Sequence, residues 1–218
     1  PFWIVREGAD RDKPTSYADF PNPEAEQVNF FPVGRGIETG TLSTERSPWQ
    51  GAQTISDNMS FPGDALAKAE WTNHRLLFVT PELKDDLHIS GYTSISIRAS
   101  SNKPAVNLSV WLVSLPWTEG RQPRGGVITR GWADLQNHSS MTDSEPLVPG
   151  AFYEMRFDLE PDDQIIPAGQ KLGLMIFSSD RGYTLQPIPG TELTIDLDGS
   201  SMILPVVGGM KSIQKALN

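Results

Sequence analysis

The chain has 218 residues and no cysteine, so it can build neither a disulfide nor a thiolate metal site. This absence does not assign a compartment, since secreted bacterial proteins often share it. Histidine is scarce: His74, His88 and His138 are the only three. They stand far apart without partners at metal-ligand spacing, and each reads as a surface or internally satisfied histidine. A basic excess is also missing. Eighteen Lys and Arg against 27 Asp and Glu give a formal net charge of −9, whereas nucleic acid and anionic membranes call for a basic surface. No stretch approaches the roughly 20 apolar residues that span a bilayer, and no charged region leads into an apolar leader segment. The expectation is a soluble chain with no nucleic-acid and no membrane partner, with cytoplasmic and secreted locations both open.

Catalytic signatures are missing as well. A serine hydrolase of the α/β type needs its nucleophile on a G-x-S-x-G elbow between strand and helix, and neither that motif nor an alternating βα pattern occurs. Ser100 to Lys103 and Ser212 to Lys215 formally satisfy S-x-x-K, but the companion motifs of penicillin-binding enzymes are absent. The first reads as a turn before Pro104 and the second as part of a terminal helix. Glu160-Pro161-Asp162-Asp163 can be read as a calcium corner or as a turn, and turn chemistry explains it more simply. No catalytic residue, cofactor or metal ligand is therefore assigned.

What the chain does contain is strands punctuated by Gly and Pro. Phe152, Glu154, Arg156 and Asp158 alternate with Tyr153, Met155, Phe157 and Leu159, the period of a strand with one apolar face. Residues 171–179 are almost all apolar and suit a strand buried on both faces; these two segments read as neighbours joined by a Pro/Gly/Asp turn. Further strands are expected at 27–33, 37–42, 75–79, 86–89, 92–99, 106–115, 126–133, 192–197 and 201–207. Residues 43–74 match no clear pattern, with helical character only over 65–71. The chain is long enough for one large all-β domain, and the strand count and long loops fit a β-sandwich of jelly-roll type.

Residues 6–26 are polar and aperiodic; residues 1–26 together read as an irregular connector, residues 27–209 as the sandwich, and residues 210–218 as a short helical tail. The opening Pro1-Phe2-Trp3-Ile4-Val5 carries no Met, which suggests a domain of a longer polypeptide.

Several segments resemble, in order, the C-terminal non-catalytic domain of the X-prolyl dipeptidyl peptidase and cocaine esterase class of serine hydrolases. Leu76-Leu-Phe-Val-Thr-Pro-Glu-Leu83 with Asp86-Leu-His-Ile-Ser-Gly91 is similar to its T-x-x-L-x-x-D-x-x-x-x-G opening. Ile95-Ser-Ile-Arg-Ala-Ser-Ser-Asn-Lys-Pro-Ala-Val-Asn-Leu-Ser-Val-Trp-Leu-Val113 is similar to its S-S-x-x-P-x-x-x-L-x-V-x-L-V strand pair. Val127-Ile-Thr-Arg-Gly-Trp132, the run from Gly150 to Asp180, and Ile203-Leu-Pro-Val-Val207 complete the series. The resemblance implies a galactose-binding-like jelly roll. It also implies that residues 1–26 connect to a missing catalytic α/β-hydrolase domain, and that peptide or ester substrates are met through that domain.

Recognition residues are sought among the aromatics Trp49, Trp71, Trp111, Trp117, Trp132 and Tyr183. Trp111 lies in an alternating strand and reads as core. Trp117 follows Pro116 and precedes the polar run 118–126, so it reads as exposed. The resemblance brings the strand carrying Arg130 and Trp132, and the loop with His138, toward the catalytic domain. Arg130, Trp132 and His138, together with the exposed Trp117, are therefore expected at a domain interface or substrate entrance; the rival reading of the 130–138 stretch is an edge strand with a solvated loop. Two other functions remain open: a stand-alone carbohydrate-binding module, expected to expose coplanar aromatics, and a domain for homo-oligomer assembly.

Overall fold

The computed structural model describes residues 2–4, 14–34, 38–118 and 126–218. Strands β1 (Phe2–Ile4) and β2 (Thr15–Tyr17) pair antiparallel as a two-stranded ribbon inside the stretch read as an irregular connector. The larger assembly begins with β3 (Ala25–Val33), β4 (Gly40–Ser43), β5 (Ala52–Ser56), helix α1 (Gly63–Lys68), β6 (Arg75–Val79), β7 (Leu87–Gly91) and β8 (Ser94–Ser101). It continues with β9 (Asn107–Leu115), β10 (Gly126–Asp134), a 3-10 turn at Leu135–Asn137, β11 (Tyr153–Asp158), β12 (Asp162–Ile166), β13 (Lys171–Phe177), β14 (Glu192–Val207) and helix α2 (Gly209–Leu217).

These strands form a β-sandwich. One layer runs β10-β9-β13-β6-β4-β3. The other is organised by β14, which pairs with β5, β8 and β3 and touches β7, with β11 beyond β8 and β12 beyond β7. Strand β3 belongs to both layers: residues 25–30 pair with β14 and residues 31–33 with β4. Period-2 alternation sends one face of each layer inward. Ile95, Ile97 and Ala99 of β8 and Leu193, Ile195, Met202 and Leu204 of β14 are buried from one side. Leu108, Val110 and Leu112 of β9, Leu174 and Ile176 of β13, and Leu76 and Phe78 of β6 are buried as well. Each of these side chains other than Ala99 contributes about 1.5–3 kcal/mol of burial free energy.

The first layer is buried on its outer face too. Register places Trp111 opposite Met175, Met175 opposite Leu77, and Phe177 opposite Arg75, and all five are buried. Part of the segment 43–74, which matched no clear pattern, lies over this face: Gly63 sits against Trp111, and Leu66 and Ala69 receive Arg75. Helix α1 within this cover starts two residues earlier than the 65–71 reading. Asp64 in its first turn pairs with Lys68 in its last at 2.8 Å, one helical turn apart. Arg75, fully buried, donates Nε to the Leu66 carbonyl at 3.1 Å and Nη2 to the Ala69 carbonyl at 2.6 Å. It thereby satisfies carbonyls that the helix end leaves open. Burial pushes the Arg75 guanidinium below its usual pKa.

Two strand readings are corrected. The segments around 152–159 and 171–179 are not neighbours: β11 pairs with β8, β13 lies between β6 and β9, and β12 separates them in the chain. Strand β12 was hidden because it carries the buried polar residues Asp163 and Gln164 where a strand pattern calls for apolar ones. Residues 192–197 and 201–207 are one strand with a register shift between Asp196 and Ser201, so Asp198-Gly199 marks a bulge and not a break. Helix α2 buries Ile213 and Ala216, and its Ala216 carbonyl accepts the Lys84 N–H at 2.7 Å. No helix among the described residues is long and apolar enough to cross a membrane.

Candidate functional site

Strand β10 is the edge of the first layer. Arg130 and Trp132 stand two residues apart on it and so share a face. Opposite them on β9 are Trp111 and Ser109, which places the pair beside the outer face that α1 covers. A Cβ on Gly63 of α1 would lie 2.3 Å from Trp111 Cη2, so the helix backbone sits directly on the indole.

The connection from β13 to β14 completes the site. Its third residue is Asp180, 1% exposed, whose Oδ2 accepts the indole N–H of Trp111 at 2.8 Å and that of Trp132 at 2.8 Å. The Asp180 carbonyl accepts the N–H groups of Tyr183 (2.9 Å) and Thr184 (3.0 Å), and the Asp180 N–H donates to Thr184 Oγ1 at 2.9 Å. That closed turn lays Tyr183 on Trp132, with ring centroids 4.7 Å apart and planes 13° from parallel. The guanidinium carbon of Arg130 lies 4.2 Å from the Tyr183 ring centroid, 5.6 Å from that of Trp132 and 5.9 Å from that of Trp111. These are cation–π distances. Arg130 Nε also lies 3.7 Å from Glu160 Oε2.

Burial pushes the Asp180 carboxyl above the usual carboxylate range, against the opposing pull of the Trp132 and Trp111 hydrogen bonds and the Arg130 charge. The buried carboxylate of Asp180 is engaged by two indoles, Glu160 stands beside the guanidinium, and the remaining groups are aromatic rings. Among the described residues, no group of three or more His, Asp or Glu side chains is placed to hold a metal ion. Tyr183 keeps 53% of its surface exposed, so the site presents an aromatic and cationic patch of the composition that dominates protein contacts. Trp132 and Tyr183 stack on each other, so the coplanar, open ring faces expected of a glycan platform are not what this cluster offers.

The sequence-derived residues separate in space. Arg130 and Trp132 meet in the cluster. His138 instead packs its ring on Tyr153, with centroids 4.4 Å apart, and holds Nδ1 3.2 Å from the Leu135 carbonyl. It lines a recess with Asn137, Ser140, Glu154 and Arg156. Trp117 is partly buried against the core, with Lys68 Nζ 5.8 Å from its ring centroid, and so belongs with the α1 cover. Most of the polar run that follows it, residues 119–125, lies outside the described residues. Asp180 was missed by sequence reasoning. The available signal was the need of a buried indole N–H for an acceptor, and Trp111 had already been read as core.

Over residues 1–214 the chain matches the family model described as the X-Pro dipeptidyl-peptidase C-terminal non-catalytic domain. It is 53% identical over 209 residues to a Rhodopirellula baltica protein provisionally named a Xaa-Pro dipeptidyl-peptidase, a match covering 95% of this chain and 33% of that protein. The chain spans about a quarter to a third of the length of the curated relatives it matches. Two solved structures share its fold. An aminopeptidase from a marine sediment archaeon, Thaumarchaeota archaeon, superposes with a TM-score of 0.68 at 15% identity, over 89% of this chain and 39% of that one. A CocE/NonD family hydrolase from Staphylococcus aureus does so with a TM-score of 0.67 at 13% identity, over 94% and 40%.

Proposed function

The chain belongs to the X-Pro dipeptidyl-peptidase C-terminal non-catalytic domain family, and on that premise we propose that it is the accessory domain of a serine hydrolase. The parent enzyme removes X-Pro dipeptides from peptide N-termini or cleaves acyl esters by acyl transfer, with its nucleophile on sequence outside this chain. The domain packs on the catalytic domain of the same polypeptide and shapes the approach to its substrate pocket.

The observation that carries this reading is the Arg130–Trp132–Tyr183 cluster. It is held rigidly by Asp180, displays an exposed aromatic ring and a cation, and contains no nucleophile or free base. Such a patch gains its energy when a partner removes it from water. The relatives' greater length supports a partner within the same polypeptide.

The test compares this 218-residue chain with the full-length gene product on a chromogenic Ala-Pro anilide and a simple aryl ester. The fragment is expected to be inert and the full-length protein active; turnover by the fragment alone would overturn the reading. In the full-length protein, Tyr183→Ala and Arg130→Ala are expected to weaken kcat/KM or thermal stability. If both variants leave both quantities unchanged, the cluster is not the contact.

A further inference from the structure

The connection between β4 and β5 presents Trp49, the most exposed large apolar side chain among the described residues, with 86% of its surface open. Trp49 is also the one non-glycine residue among them with positive φ, at +65°. That backbone region is uphill for a bulky L-residue, and where such a turn is merely a loop tip it is ordinarily filled by Gly or Asn.

The turn around it is nonetheless ordered. Asp198 in the β14 bulge accepts the Gln50 N–H on Oδ1 at 3.1 Å and the Gly51 N–H on Oδ2 at 2.9 Å. Arg46 donates Nη1 to the Asp198 carbonyl at 2.6 Å and lies 4.4 Å from the Phe31 ring centroid. Gln50 accepts the Gly34 N–H at 3.0 Å and donates Nε2 to Ser47 Oγ at 3.1 Å. Two layers of the fold thus fix a strained turn whose central side chain remains largely in solvent. Strain sustained by surrounding contacts is a mark of functional positions, and a rigid indole loses little conformational entropy when it is buried by a partner.

We propose that Trp49 is a preformed anchor that seats in an apolar pocket of the remainder of the polypeptide, a contact additional to the Arg130–Trp132–Tyr183 cluster. The inference rests on the reading of this chain as one domain of a longer hydrolase. Two observations select that occupant. The Rhodopirellula baltica relative is matched over only 33% of its length, leaving ample chain to supply the pocket. A second copy of this domain would bring a further net charge of −9 against the first, which opposes self-association.

The test is oxidative footprinting of the intact full-length protein, read by mass spectrometry at Trp49 and calibrated with an unstructured tryptophan peptide in the same solution. Trp49 is expected to oxidise about tenfold more slowly than the peptide, as for a contact formed in roughly nine molecules of ten, and equally so at every protein concentration. Oxidation at a rate within about twofold of the peptide overturns the proposal. Protection that disappears on dilution also overturns it, in favour of a second copy. Asp198→Ala, which frees the turn, is expected to raise Trp49 oxidation toward the peptide rate; unchanged protection in that variant overturns the preformed character of the anchor. The hydrolysis assay separates this proposal from the reading beneath it. An active full-length enzyme with reactive Trp49 rejects only the anchor, whereas protected Trp49 in a protein inert toward both substrates upholds the anchor and rejects the assigned activity.

Discussion

Trp111 and Trp132, on neighbouring strands, donate their indole N–H groups to the same oxygen, Asp180 Oδ2, each at 2.8 Å. A buried indole N–H without an acceptor is costly, and here one carboxylate serves the buried Trp111 and the partly buried Trp132. Because Asp180 also closes the turn that delivers Tyr183, the core packing of Trp111 and the exposed patch at Tyr183 share one fastening point.

Asp180→Ala is expected to destabilise the protein by about 2–4 kcal/mol, since it strands two indole donors and opens the Tyr183 turn. Asp180→Asn keeps an acceptor oxygen and is expected to cost about 1 kcal/mol. Equilibrium urea unfolding reads both as lower midpoints with the slope preserved. Equal losses for the two variants would show that the carboxylate charge, and not its role as acceptor, holds the cluster.

The raised pKa of Asp180 sets a definite pH response. The folded protein holds this proton more tightly than the unfolded chain. As pH climbs from the ordinary carboxylate value to the raised one, the unfolded chain deprotonates first, and the Asp180 contribution to stability falls. Below that window the contribution is complete, and above it the decline stops. The stability difference between wild type and Asp180→Asn is therefore expected to shrink with rising pH across the window, and parallel pH curves for the two proteins would contradict the assignment.

Gly63→Ala would place a methyl 2.3 Å from Trp111 Cη2 and 2.4 Å from Cζ2. The indole cannot retreat while its N–H is bound to Asp180, so the expected cost is about 1–3 kcal/mol from overpacking. In an Asp180→Ala background the ring is released and the same substitution is expected to cost less. A double-mutant cycle on thermal unfolding measures that coupling, and strict additivity would separate α1 from the cluster.

Much of the fold was legible because strand patterning is local. Residues 171–179 were read as buried on both faces, and β13 lies between β6 and β9 with both faces covered. Alternation likewise located β8, β9 and β11. Strand β12 escaped because Asp163 and Gln164 are polar yet buried, and the β14 bulge at Asp198-Gly199 imitates a turn. Of the site, Arg130 and Trp132 were singled out on one strand, but their partner Asp180 lies just beyond the strand read at 171–179 and carried no pattern of its own.

By itself the sequence determined the all-β class, most strand positions, the burial of Trp111 and the absence of a G-x-S-x-G elbow, because side-chain period and motif spacing are properties of consecutive residues. Only the tertiary structure decided which strands pair, that helix α1 sits on Trp111 and Arg75 at the outer face of one layer, and that Asp180 joins Trp132 and Trp111 across 48 and 69 positions of chain. Pairing register and shared hydrogen-bond acceptors are set by packing between distant segments, and their energies have no counterpart in any local window of sequence.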